Sequence, residues 1–193
     1  MWDKEFKHVG EKIFLRGCNN SHSGNISVRE GNKIFISRTG SMLDELTAED
    51  IIEVGLLPDE VKDKKASMEL LNHRALYQEN ENINAVVHAH APYSIVMADG
   101  CEEVEPYDQE GAYYFNKRIP VLIAQNTIAS TEIAEQIKQY ANNARSVIVQ
   151  KHGVFAWGNN LEEAYHFLTV TESACRVNYL LEIKNAAKNY SNQ

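Results

Sequence analysis

The sequence predicts an α/β fold in which helices cover the faces of a largely antiparallel sheet. Two observations lead there. Stretches of strand period and stretches of helix period are interleaved along the chain, and no repeat, low-complexity tract or Pro/Ser-rich linker divides them. At 193 residues the chain is the size of one domain, residues 1–193, with a substantial core.

The elements follow in order. Residues 3–16 carry Phe6, Val9, Ile13 and Phe14 on one stripe and predict an amphipathic helix. "NISVREGNKIFIS" alternates Ile26/Val28 and Ile34/Ile36 about Gly31-Asn32, a β-hairpin pattern. In "LTAEDII", Thr47 lies three residues before Asp50, which predicts a short capped helix. Residues 67–80 predict a helix with Met68, Leu71 and Ala75 on one side, and "NAVVHAH" a strand. A helix is expected near 130–141. "SVIVQKHGVFAWG" then reads as one or two strands broken near His152-Gly153. From Asn160 a long terminal helix follows, with Asn160 and Glu163 as its capping box.

Composition excludes several functions. A net charge of -8 disfavours a nucleic-acid partner, because a phosphate backbone demands a basic face. "KDKK" at 62–65 reads as a solvated loop. No apolar run is long enough to span a bilayer, so no membrane partner is expected. The charged N-terminus does not resemble a signal peptide, and a cytoplasmic location follows as the expectation. Cys18, Cys101 and Cys175 are widely spaced and odd in number, against a disulfide framework or a thiolate metal site.

The chemistry is concentrated in the histidines. On a strand, positions i and i+2 share a face, so His88 and His90 of "HAH" project together. His152 ends another apolar stretch just before a glycine, well placed to aim into a cleft. Glu69 near the start of its helix adds a carboxylate, and three histidines with a glutamate suit an open zinc site. Spacing alone leaves the alternative open, because histidines on apolar strands are commonly satisfied core residues. His73, four residues after Glu69, is on the same reading a structural hydrogen-bond partner for it. His8, His22 and His166 are read as non-ligands.

Three polar turns add a second feature. "SHSGN" with Ser21, Ser23, Gly24 and Asn25, "RTGS" with Thr39, Gly40 and Ser41, and Ser67 at a helix start each offer donors to an anion. Hairpin turns use the same residues for local reasons. Their weight depends on whether they converge in space.

Six segments in order resemble the class II aldolase/adducin family. They are "SGNISVR" (23–29), "ISRTGSMLDELTAEDI" (36–51), "ASMELLNHRALY" (66–77), "INAVVHAHAPYS" (83–94), "KRIPV" (117–121) and "VIVQKHGVFAWGNNLEEAY" (147–165). The resemblance implies a three-layer α/β/α fold around a mixed, mostly antiparallel central sheet. It implies a homotetramer with active sites between subunits. His88, His90 and His152 resemble the family's zinc ligands. Glu69 resembles the glutamate that approaches the metal and becomes the acid/base when substrate displaces it. Gly24, Asn25, Thr39, Gly40 and Ser67 resemble the substrate-phosphate site. The implied activity is cleavage of a small phosphorylated sugar, a ketose 1-phosphate, to dihydroxyacetone phosphate and an aldehyde through a metal-stabilised enediolate.

Two departures bear on substrate. Where fuculose-type aldolases often have Ser-Ser-Glu, this chain has Ser67-Met68-Glu69, and Met68 is read as helix-face packing. In "CEEVEPYDQEGAYYFNKRIPV" (101–121), Tyr107 is the candidate catalytic tyrosine, in competition with Tyr113 and Tyr114 and in the company of Asp108 and Glu110. Epimerase, dehydratase and decarboxylase chemistry on the same scaffold, and a non-catalytic adducin-like module, are the alternatives.

Overall fold

The computed structural model describes residues 2–191. Helix α1 spans Asp3–Leu15, and the hairpin β1 (Asn25–Glu30) and β2 (Lys33–Ser37) follows. Then come β3 (Ile51–Gly55), α2 (Leu70–Glu79), β4 (Ala85–Ala89) and α3 (Pro92–Met97). The second half contains β5 (Glu103–Val104), α4 (Gln109–Tyr114), β6 (Ile119–Leu122) and α5 (Thr131–Lys138). It ends with β7 (Ser146–Val149), β8 (Gly153–Gly158) and the long helix α6 (Leu161–Ser191).

The strands form one sheet in the order β3-β2-β1-β4-β8-β7-β6-β5, in which only the β6–β7 pair is parallel. Period-two alternation sorts its side chains between two cores. Ile26, Val28, Ala85, Val87, Ala89, Val154 and Ala156 pack with α1 and α6 on one face. Ile34, Ile36, Val86, Val147, Phe155 and Trp157 pack with α2 and α5 on the other. Three layers result, as the family resemblance implied.

Local signals account for the best-defined boundaries. Gly31 takes φ +59° at the tip of the β1–β2 hairpin, a conformation that favours glycine. Thr47 and Asp50 form the expected capping box, although over a single 3-10 turn. Asn160 Oδ1 accepts the Glu163 N–H at 2.9 Å, while Glu163 reaches back to Asn159 rather than to Asn160. Among the described residues, no helix is long and apolar enough to cross a membrane.

Several expectations shift. Phe14 is half-exposed, and Gly10 joins Phe6, Val9 and Ile13 on the buried stripe of α1. A side chain at Gly10 would meet the Leu43 carbonyl at 1.9 Å, so α1 lies directly on that backbone. Helix α2 begins at Leu70 rather than 67, because Ser67 turns the chain first: the Leu70 N–H donates to its carbonyl. Glu69 is therefore the N-cap residue and does not lie in the first turn. Met68 is 63% exposed and does not pack on the helix face. Within "KDKK", Asp63 is a structural anchor rather than part of a solvated run, since it binds the buried Arg74 through two hydrogen bonds.

Candidate metal centre and active-site pocket

His88 sits on β4, on the sheet face that carries α2 and α5, and His90 follows one residue beyond the strand. β4 pairs with β8, whose preceding turn carries His152. That turn holds Lys151 at φ +61°. A side chain on Gly153 would meet the Ala89 carbonyl at 2.3 Å. Glycine there lets the two strands approach where the histidines meet.

The three imidazoles form a mutual triangle, with ring centroids 5.1 Å apart for His88–His90, 4.7 Å for His88–His152 and 5.0 Å for His90–His152. One nitrogen from each lies within 4.8 Å of the others. His88 Nδ1 is 2.9 Å from the Val154 carbonyl, and Phe155 stacks on its ring at 4.1 Å. The carbonyl can only accept, so Nδ1 carries the proton and Nε2 is left with its lone pair. Outer partners that fix a ligand's tautomer in this way are characteristic of metal-binding histidines.

His88 Nε2 and His152 Nδ1 are both buried without a hydrogen-bond partner. Orphaned buried nitrogens are costly, and two of them converging with a third imidazole fit a divalent cation. Burial first, and then the neighbouring histidines, holds His88 well below the usual histidine range. Burial and His152 lower His90 to about 4, and burial lowers His152 as well. All three are thus held in the neutral form that ligates metal.

Glu69 lines the same pocket but stands outside the histidine triangle as the structure has it. Its Oε1 accepts the Ala129 N–H at 2.7 Å and its Oε2 accepts Asn72 Nδ2 at 2.6 Å. Burial raises its pKa, which suits a proton carrier near neutral pH. Ala129 is held at φ +49°, and a backbone group of neighbouring Thr127 bonds His152. The 127–129 segment therefore braces the glutamate and one histidine together. The His73 imidazole does not bond the Glu69 carboxylate, although the His73 backbone N–H donates to the Glu69 carbonyl at 3.4 Å; the ring bonds Asn25 and Ser27 instead.

The polar turns do converge. Gly24, Asn25, Thr39, Gly40 and Ser67 all line the pocket with Glu69 and the three histidines. Some of their donors are already committed. The Ser67 N–H donates to Ser37 at 3.1 Å and the Thr39 N–H to Lys65 at 3.2 Å, so neither supplies the free amide expected of it. Ser23 and Ser41 close their own turns. Gly24, at φ +76°, has no room for a side chain between Asn19 and the His88 carbonyl. Met68 and Ile128 form the exposed apolar rim.

Three contributors went unnoticed in the sequence. Arg38 lines the pocket, with Asp50 Oδ1 holding its Nε at 3.0 Å and its Nη2 at 2.6 Å, so its Nη1 end stays available. Asn19 Oδ1 accepts the His90 N–H at 2.9 Å. Glu172 of α6 accepts the N–H groups of Tyr93 and Ser94 and the Ser94 hydroxyl, capping α3 directly behind His90.

Tyr107 lies elsewhere. It is 68% exposed, its N–H donates to Asn178 at 3.0 Å, and it lines a cleft against α6 rather than the histidine pocket. Asp108 caps α4 by accepting the Gly111 N–H at 2.8 Å, which accounts for the acid beside that tyrosine. Tyr113 is exposed, and Tyr114 packs edge-on against His166 and Phe167.

Comparison with known proteins agrees with this geometry. The profile of the class II aldolase and adducin N-terminal domain matches residues 4–179. An L-fuculose phosphate aldolase of Methanococcus maripaludis is 32% identical over 158 residues, 82% of this chain and 85% of that protein. A 3-oxo-tetronate 4-phosphate decarboxylase of Haemophilus influenzae is 25% identical over 182 residues, 90% of this chain and 85% of that protein. The crystal structure of the L-fuculose-1-phosphate aldolase of Thermus thermophilus superposes with a TM-score of 0.90 at 29% identity, covering 96% of each chain. Fold, histidine triangle and sequence relatives together make this chain a member of the class II aldolase/adducin family of metal-dependent lyases.

Proposed function

We propose that the protein is a zinc-dependent aldolase that cleaves a small ketose 1-phosphate to dihydroxyacetone phosphate and an aldehyde. One observation carries the reading. Three neutral histidines, two of them with an orphaned buried nitrogen, share a pocket with a buried carboxylate of raised pKa and a row of polar turns. The L-fuculose phosphate aldolase relative supports the substrate class.

His88, His90 and His152 would hold the ion, which supplies Lewis-acid stabilisation of negative charge developing beside the substrate carbonyl. The chain's own residues do the rest. Asn25, Gly40 and the Ser67 hydroxyl hold the phosphate together with Gly24 and Thr39, and Arg38 supplies the positive charge. When the C3–C4 bond breaks, its electron pair stays on C3 and the C4 hydroxyl loses its proton as the aldehyde forms. Glu69 leaves its Ala129 and Asn72 partners to return a proton to C3. Tyr107, which does not line its own pocket, accepts the C4 hydroxyl proton in a neighbouring subunit of a homotetramer as it passes its own phenolic proton to solvent, and Glu69 regains from solvent the proton it gives to C3.

Decarboxylation of a sugar-acid phosphate is the second reading. Arg38 in the pocket suits a second anionic group, and the Haemophilus relative carries that activity in its name. A panel of phosphorylated ketoses and sugar acids, assayed with and without a chelator, separates the two. Chelator-sensitive release of dihydroxyacetone phosphate together with an aldehyde from a ketose phosphate is expected, whereas release of carbon dioxide from a 3-oxo sugar-acid phosphate, with no aldehyde from any ketose, would replace the first reading by the second. A folded protein that retains no divalent ion and turns over nothing in the panel would instead be a binding module.

A further inference from the structure

A buried polar relay runs from α2 through the sheet to the anion pocket. Tyr77 Oη lies 2.6 Å from Ser27 Oγ, Ser27 Oγ lies 2.6 Å from His73 Nδ1, and His73 Nε2 lies 2.5 Å from Asn25 Oδ1. Tyr77, Ser27 and His73 are at most 1% exposed, and Asn25 is 5% exposed.

The direction of every bond in this relay is determined. An amide oxygen only accepts, so His73 Nε2 carries the proton that reaches Asn25. A neutral imidazole has one N–H, so Nδ1 must accept, and Ser27 donates to it. The Ser27 proton is then spent, and Tyr77 donates to Ser27. The reverse order, with the Asn25 amide turned over, would aim the Tyr77 proton away from Ser27. Among the described residues no other hydrogen-bond acceptor is found for that hydroxyl. A buried hydroxyl proton without an acceptor is strongly disfavoured, which selects the first order.

From this we infer that His73 is a positioning residue: as the Nε2–H tautomer it holds Asn25 Oδ1 and commits the Asn25 Nδ2 group to the substrate's phosphate. A freely rotating asparagine would present an acceptor to that anion half the time, and acceptor against phosphate repels. The relay removes that choice. Burial agrees with a neutral ring, lowering the His73 pKa to about 3. The edge of Phe155 packs on the ring at 5.9 Å.

The inference rests on reading the pocket as an anion site, and its test is independent of turnover. In the zinc-loaded full chain labelled with 15N-histidine, His73 is expected as the neutral Nε2–H tautomer at neutral pH. An Nδ1–H tautomer or an imidazolium overturns the proposal. Inorganic phosphate serves as the probe in calorimetric titrations. Asn25→Asp keeps the acceptor facing His73 but replaces the donor with oxygen, and should weaken phosphate binding by at least tenfold, the scale of a lost hydrogen bond to a charged group, about 10- to 100-fold. His73→Leu should weaken it in the same direction, and His73→Gln, which again carries an acceptor and a donor, should recover part of the loss. Parent-like phosphate binding in Asn25→Asp or His73→Leu, or no phosphate binding by the parent, overturns it. If His73→Leu fails to fold, the near-isosteric Asn25→Asp and the tautomer decide. Cleavage of a ketose phosphate together with an Nδ1–H tautomer would sink this inference alone. The expected tautomer and phosphate binding, with no sugar phosphate cleaved, would sink only the proposed reaction.

Discussion

Glu69 Oε1 accepts the backbone N–H of Ala129 at 2.7 Å, which ties the N-cap of α2 to the segment before α5. The bond holds an acid with a raised pKa in a defined place without neutralising it by a cation. Glu69→Gln keeps the shape and removes the proton carrier. With Glu69 as the proposed acid/base, turnover of the sugar-phosphate substrate should fall by about 10²- to 10⁴-fold, the usual worth of a positioned acid/base. Metal content should remain at the parent level. Elemental analysis beside steady-state kinetics checks both, and loss of the metal would instead make Glu69 a ligand.

Arg38 is fixed by Asp50, itself held by the Thr47 N–H at 3.0 Å and the Thr47 hydroxyl at 2.8 Å. Arg38→Ala should raise KM by about tenfold or more, as expected for a charge-assisted bond to substrate phosphate. Its kcat should change far less. A fall in kcat with constant KM would place Arg38 in the chemistry rather than in binding.

Glu172 accepts three hydrogen bonds at the start of α3, the helix that begins just after His90. Glu172→Ala strands the Tyr93 and Ser94 N–H groups and should destabilise the fold by about 1–3 kcal/mol. Because the cap also fixes the chain leaving His90, affinity for the divalent ion should drop roughly tenfold, on the scale of outer-shell support for a metal site. Chelator competition and thermal melts read the two effects separately.

His73 sets an acid limit on stability. Its pKa is about 3 in the folded chain and near 6.5 when unfolded. Between those values the unfolded state takes up a proton that the native state refuses, so stability falls as pH falls. The contribution is constant above 6.5 and is lost at roughly 1.4 kcal/mol per pH unit down to about 3. His73→Gln does not titrate, so the stability difference between parent and variant isolates the effect. A difference that stays flat over that range would mean a ring already charged or exposed.

Legibility in the sequence followed the range of the interactions. His88 and His90 could be paired because strand period is local, and His152 because an apolar run ended at it beside glycine. The turns around Gly24, Thr39 and Ser67 were visible, but their committed N–H groups were not, since the acceptors Ser37 and Lys65 belong to other segments. Asn19, Glu172 and Ala129 gave no signal for the same reason: each acts on a residue far along the chain that only tertiary packing brings close. β5, with two residues, and α3 and α4, with six each, are too short to show a period. His73 was seen as a neighbour of Glu69 along one helix, whereas the packed sheet offered it Asn25 and Ser27.

The pairing of β4 with β8 joins parts of the chain between which everything from α3 to β7 must fold. An ion shared by His90 and His152 would therefore act as a removable cross-link over that whole loop. Closing so long a loop restricts the unfolded chain much as a disulfide does, by about 4 kcal/mol in the chain-entropy model. Metal supply would then set the lifetime of the protein as well as its activity. A chain emptied of its ion would become the species most open to proteolysis.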